Sequence, residues 1–209
     1  MRERKYIERF NPCVEVYDEV RHKDFLKGFN CNSYIFNKYI TSYDALEDKF
    51  NGDGVTYLVF DESSVERKLV AYYTLCATAI PFLSRIKLDF EEIVDEAEYD
   101  ERLYGVGAMQ IKMFAVDVEY QNVFYRQDEL EMPIAAWILR YIVKSIDSMS
   151  SVVCGVKAIF LHAVEDAKLF YYQNNFIYAD ERIRPFDSDD SELASMFLKL
   201  REIRIVYDE

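Results

Sequence analysis

Residues Glu119 to Trp137 read EYQNVFYRQDELEMPIAAW and join a run patterned like a strand to one patterned like a helix. At such a junction the first backbone N–H groups of the helix are unpaired and its dipole favours negative charge, so the chemistry on offer is anion binding. A phosphate site here would ordinarily use glycine, which lets the backbone come close, and the stretch has none. The chain has 17 tyrosines, so a tyrosine carries little information by its type alone. Cys13, Cys31, Cys76 and Cys154 are scattered without a CxxC pair, and only His22 and His162 could assist them. That spacing fits reduced, buried thiols and supplies neither a zinc site nor a disulfide framework.

The elements around the junction follow from periodicity. Ala108–Val118 (AMQIKMFAVDV) reads as a strand. Pro133–Ser145 (PIAAWILRYIVKS) reads as a helix with Pro at its first position and Trp137, Ile138, Tyr141 and Ile142 on one face. Val156–Val164 (VKAIFLHAV) is nearly continuously apolar, as a strand buried on both faces would be. A short helix, DAKLFYYQNNF, follows; its Asn174-Asn175 pair suits the left-handed conformation that ends helices. IYAD is then a strand, and ASMFLKLREI closes the sheet. Upstream, Cys31–Tyr43 predicts a helix capped by Asn32 or Ser33, with Tyr34, Ile35, Lys38 and Tyr39 at helical spacing. VTYLVFD and LVAYYTLCATAI predict a hairpin. The acid-rich segment Pro81–Gly107 predicts a solvated helix or loop.

Composition bounds the function. With 209 residues and 51% apolar content, the chain supports one substantial core, and a single domain over residues 1–209 is expected. A formal charge of -13 opposes nucleic-acid backbones unless a local patch, such as Arg140, Lys144 and Lys157, offsets it. The charged start MRERKYIERF lacks the apolar stretch of a signal peptide and no run is long enough to span a bilayer, so a soluble cytoplasmic protein with no membrane partner is expected.

The order of strand MFAVDVEYQ, helix PIAAWILRYI, strand AIFLHAV and then DAKLFYYQNNF resembles the core of the GNAT acyltransferases. Ala167–Phe176 (AKLFYYQNNF) is similar to a motif in which Ala, two residues, an apolar residue and Tyr are followed after three residues by Gly-Phe; Asn175 stands where that Gly would be. FNCNSYIFNKYI, GVTYLVFD and LVAYYTL extend the likeness to GNAT-type toxins of bacterial toxin-antitoxin pairs, over about Phe29 to Ile203. The resemblance implies an α/β (α+β) fold: a mixed, mostly antiparallel sheet flanked by helices, in which the strands around Phe114 and Phe160 form a parallel, splayed central pair.

It also implies an activity, transfer of an acetyl group from acetyl-CoA, a co-substrate, to a primary amine. In such proteins the turn after the central strand reads Gln or Arg, two residues, Gly, one residue, then Gly or Ala, and its amides clasp the pyrophosphate. Taking Gln121 as the first position puts Phe124 and Arg126 at both glycine positions. Sliding the pattern onto the helix puts Pro133 at the first glycine and Ala135 at the last, with Asn122 to Leu130 inserted. Pro133 then removes one amide and Glu131 brings a like charge. Ile134, Ala135 and Ala136 retain free N–H groups, and Arg126 could reach a phosphate. The implied cofactor-binding residues are therefore Phe114, Val116, Ile134, Ala135, Ala136 and Arg126, with no metal.

Tyr171 falls at the motif's tyrosine, where a phenol protonates the departing CoA thiolate as general acid. Tyr172 points elsewhere on the helix. Glu119 and His162 are candidates to take the amine's proton, but an α-amino group with a pKa near 8 needs no dedicated base, and none is assigned. Three readings follow: an N-acetyltransferase acting on a small-molecule or protein amine, a toxin-like enzyme acetylating aminoacyl-tRNA, and a GNAT-fold protein that has lost catalysis and works by binding. The implied partners are a second copy of the chain or an antitoxin-like protein; nucleic acid other than tRNA is disfavoured by charge.

Overall fold

The computed structural model describes residues 4–87, 99–127, 130–179 and 193–201. In chain order the elements are β1 (Lys5–Ile7), β2 (Pro12–Val16), α1 (Glu19–Leu26), α2 (Tyr34–Thr41), α3 (Asp44–Asn51), β3 (Val55–Asp61), β4 (Lys68–Lys87) and β5 (Tyr99–Val116). There follow β6 (Val123–Gln127), β7 (Leu130–Pro133), α4 (Ile134–Val152), β8 (Ala158–Ala163), a 3-10 turn (Glu165–Ala167), α5 (Lys168–Gln173), β9 (Ile177–Tyr178) and β10 (Ala194–Lys199). A seven-stranded sheet has the order β2-β3-β4-β5-β8-β10-β9, and a second sheet the order β1-β6-β7. The fold is mixed α/β with a mostly antiparallel sheet. β8 neighbours β5 although α4 lies between them in sequence, the helical crossover that parallel neighbours require.

The chain divides into two compact units. The first comprises residues 1–77 and 110–148. Its helices cover one face of β3 and β4: Leu58, Phe60 and Tyr72 alternate with residues of the opposite face and meet Leu26, Phe29, Tyr39, Ile40 and Leu46. Each of these apolar side chains contributes roughly 1.5–3 kcal/mol on full burial. Local chemistry sets the helix ends. The Asp18 carboxylate accepts the Arg21 N–H at 3.0 Å to start α1, and Gly52, at φ 81°, ends α3 in the left-handed region that glycine enters without penalty. In α4, Ile134, Ile138, Ile142 and Ile146 recur every fourth residue and all are fully buried.

The second unit comprises residues 78–109 and 149–209. β8 pairs antiparallel with β10 from Ala158↔Lys199 to Ala163↔Ala194. Ile80, Ala108, Ala158 and Phe160 form its core, with Phe197 packed against them.

The β3–β4 hairpin is as expected, with Val55↔Leu75 through Asp61↔Lys68 in register apart from an irregularity between Val59 and Phe60. Three expectations need correction. Much of the segment Pro81–Gly107 is strand, since β4 runs to Lys87 and β5 begins at Tyr99; residues 88–98 lie outside the described set. Acid density marks exposed side chains, whereas a ladder is made by the backbone, so composition alone misled there. On α4, Ile138 and Ile142 are buried but Tyr141 is 38% exposed, so only part of the expected face is buried. Pro133 ends β7, and α4 starts one residue later and runs to Val152, past the expected end at Ser145.

Candidate functional site

In the first unit the candidate anion site is framed by the end of β5, the turn after it and the start of α4. Asp117, 8% exposed, organises that turn. One carboxylate oxygen accepts the Asn30 N–H at 2.9 Å and the other accepts the Glu119 N–H at 2.9 Å. The Asp117 carbonyl accepts from Tyr120 and Gln121, and Val118 N–H donates to the Asn30 carbonyl. The Gln121 side-chain amide donates to the carbonyls of Cys31 and Val116, each at 3.0 Å. Gln121 is thus a tie between the turn and the α1–α2 connection rather than a free first residue of a phosphate turn. Nothing local in the sequence pointed to Asp117, because its partner Asn30 lies 87 residues away.

The inserted stretch is a folded hairpin. β6 and β7 pair antiparallel, Phe124↔Pro133 through Gln127↔Leu130, and β1 adds in parallel from Lys5↔Val123 to Ile7↔Tyr125. On one side Phe10 meets Tyr125 at 6.1 Å between centroids and Trp137 edge-on at 5.3 Å; Trp137 stacks on Tyr141 at 6.0 Å. These contacts join the hairpin to the first turns of α4. Ile134 is fully buried, Ala136 7% exposed, and Ala135 half-buried; the first turn of α4 has no acidic residue. Arg126 is half-exposed, with Nη2 3.6 Å from a Glu131 oxygen and its guanidinium over the Tyr6 ring at 4.3 Å. Val116 is buried and Phe114 half-buried at the end of β5.

In the second unit the candidate acid is held by the way α5 ends. Phe176 N–H donates to the Tyr171 carbonyl at 3.1 Å, and Asn175 N–H to that of Tyr172 at 3.1 Å. Asn175 has φ 68°, so the expected left-handed residue is Asn175 and not Asn174. This is a Schellman ending, and its usual hydrophobic contact is present: the Tyr171 and Phe176 rings lie 5.6 Å apart. The spacing of tyrosine to Asn175-Phe176 therefore has a physical reason, since the same turn that stops the helix seats Phe176, fully buried, against Tyr171. Tyr171 is 8% exposed, its ring also meets Phe170 at 5.2 Å, and its hydroxyl has no hydrogen-bond partner among the described residues. Burial raises the phenol well above the usual tyrosine range, so it keeps its proton. Tyr172 is 60% exposed, facing away as expected. Asn175→Gly is expected to be neutral or to stabilise by up to about 1 kcal/mol, and Asn175→Ala to destabilise by about 1–2 kcal/mol, in denaturant titrations.

The two proton-acceptor candidates have ordinary surroundings. Glu119 is exposed, 3.9 Å from Lys68. His162 Nδ1 lies 3.0 Å from Ser195 Oγ, with Phe160 edge-on at 4.8 Å, and burial lowers the imidazole below its usual value. Among the described residues no three His, Cys, Asp or Glu side chains gather as a metal site, and no helix is long and apolar enough to cross a membrane.

No protein-family model and no curated protein matches the sequence. Solved structures do match. A mutant of the AtaT toxin superposes with TM-score 0.62 at 17% identity, covering 96% of this chain and 94% of that one. The AtaTR structure bound with acetyl-CoA gives 0.63 at 17%, covering 90% and 94%. AtaT complexed with acetyl-methionyl-tRNAfMet gives 0.60 at 18%, covering 90% and 95%. With the sheet order, the α4 crossover and the α5 ending described above, these matches show that the chain has the GNAT acetyltransferase fold, in the form taken by GNAT-type toxins.

Proposed function

We propose that the protein is an acetyl-CoA-dependent N-acetyltransferase acting on a primary amine as a single-domain cytoplasmic enzyme, with Tyr171 as general acid. The observation that carries this reading is Tyr171 itself: a buried phenol, seated by the α5 ending, whose hydroxyl is uncommitted among the described residues. The ring is packed while no described residue holds its O–H, which leaves that O–H available to a group that arrives. In the proposed reaction the amine nitrogen attacks the thioester carbonyl, the C–S bond breaks, and the sulfur leaves with the phenol proton. Desolvation raises a phenol and a thiol together, so burial of Tyr171 does not by itself set the two acidities apart.

Ile134, Ala135 and Ala136 supply the helix N–H groups for the cofactor's pyrophosphate in this reading, with Phe114 and Val116 on the adjoining strand end and Arg126 on the hairpin. The fold match to a structure bound with acetyl-CoA supports the choice of cofactor. Acetyl-CoA is expected to raise the melting temperature through mass action, by an equivalent of about 2.7 kcal/mol at a hundred times its Kd. Dephospho-acetyl-CoA and acetyl-pantetheine should bind progressively worse. No shift at millimolar acetyl-CoA would overturn the enzymatic reading in favour of a binding protein on the same fold, which the hairpin in place of a glycine turn would otherwise favour.

A second reading, acetylation of aminoacyl-tRNA with an antitoxin-like partner, is favoured by one neighbour being complexed with acetyl-methionyl-tRNAfMet. The charge of -13 opposes it. Arg140, Lys144 and Lys157 are each exposed. Assaying a panel of free amines, basic peptides and aminoacyl-tRNA with labelled acetyl-CoA separates the acceptors.

A further inference from the structure

The three-stranded sheet carries a charge cluster that the backbone ladder does not require. Arg4 Nη1, just before β1, lies 3.6 Å from one Glu131 oxygen, and Arg126 Nη2, on β6, lies 3.6 Å from the other. Each guanidinium covers an aromatic ring of the neighbouring strand, Arg4 over Phe124 at 5.0 Å and Arg126 over Tyr6 at 4.3 Å, and the two rings lie 5.8 Å apart. A separation of 3.6 Å is longer than a good charged hydrogen bond. The arginines are therefore positioned by the rings as much as by the carboxylate. Side-chain exposures of 65% and 52% leave both open to a ligand.

We propose that Arg4 and Arg126 form a two-guanidinium site for a phosphate group of the CoA cofactor, with Glu131 as a resident counter-ion that the phosphate displaces. The identity of the ligand rests on the acetyl-CoA reading above; the anion site does not. A phosphate outcompetes one carboxylate because it carries more charge and enough oxygens to take both planar forks at once. Stacking on Tyr6 and Phe124 reduces the side-chain freedom lost on binding. The inserted hairpin would then replace by side chains what a glycine turn does with backbone amides, and the N-terminal strand would contribute half of the site.

Titration calorimetry on the full chain at low salt tests this with four probes: inorganic pyrophosphate, acetyl-CoA, dephospho-acetyl-CoA and acetyl-pantetheine. Glu131→Gln is expected to tighten pyrophosphate about tenfold and Arg4→Gln/Arg126→Gln to weaken it about tenfold or more, while neither alters acetyl-pantetheine, which has no phosphodiester or phosphomonoester to lose. Arg126→Lys, retaining charge without the fork, should fall between. Equal sensitivity of acetyl-CoA and dephospho-acetyl-CoA to these changes assigns the site to the cofactor's pyrophosphate; loss of sensitivity in the dephospho form assigns it to the 3′-phosphate. Pyrophosphate binding that is absent, or unchanged across all variants at wild-type melting temperature, overturns the proposal. If pyrophosphate follows the expected pattern but acetyl-CoA does not bind, the anion site stands and the acetyltransferase reading falls.

Discussion

Tyr171→Phe is expected to lower turnover of an accepted amine by roughly a hundredfold or more, with acetyl-CoA affinity unchanged. The substitution keeps the ring between Phe170 and Phe176 and removes one O–H whose hydrogen bonds are absent among the described residues. Stability should therefore stay within about 1 kcal/mol of wild type. Tyr172→Phe, on the exposed side of α5, is the control and should leave turnover nearly unchanged. The pH profile carries a separate signature. Because burial raises the Tyr171 phenol above its ordinary value, its acid form persists beyond the usual tyrosine range, and no alkaline fall in rate is expected below about pH 10. The rate should instead rise with pH until the acceptor amine is deprotonated, near pH 8 for an α-amino group. Full activity of Tyr171→Phe would reduce Tyr171 to packing and leave protonation of the thiolate to water.

Asp117→Ala is expected to cost about 3 kcal/mol in denaturant unfolding, among the larger single-residue effects in the first unit. Its carboxylate accepts two backbone N–H groups, from Asn30 and Glu119, and hydrogen bonds to a charged acceptor contribute about 1.5–3 kcal/mol each. Asp117→Asn retains an amide oxygen for one donor and should lose about half as much. Both variants should also loosen the turn that follows β5, so acetyl-CoA affinity should fall with stability, whereas Tyr171→Phe separates the two. A wild-type midpoint for Asp117→Ala would mean that Asn30 and Glu119 find water at no cost.

How much of this was legible beforehand depended on how local each feature is. The α5 ending was readable because a Schellman turn needs one left-handed residue and one apolar residue at set positions, and Asn175-Phe176 supplies both within six residues of Tyr171. β8 was readable for a similar reason: AIFLHA is apolar almost throughout, and a strand buried on both faces leaves that mark. The helix after the junction was readable from its four-residue recurrence, but its start was misplaced by one residue because Pro133 serves equally as the end of β7. The arms of β4 and β5 were missed because ladder hydrogen bonds are made by groups every residue has, and no side-chain pattern was needed to make them.

By itself, then, the sequence determined the apolar rhythm of the core elements, where α5 stops, the order of elements that marks the fold, and the location of the one tyrosine with a motif around it. Only the tertiary structure decided what the backbone and polar groups of the junction do. Asp117 finds Asn30, Gln121 finds Cys31, and β1 lies beside β6 to bring Arg4 and Arg126 to one carboxylate. Apart from Arg126 and its near neighbour Glu131, these partners lie about ninety or more residues apart, and hydrogen bonds or ion pairs across such distances leave no periodicity in the chain. Apolar burial writes a repeat into every element that undergoes it, whereas a polar partnership is specified by where two segments meet, and that meeting is a property of the folded molecule.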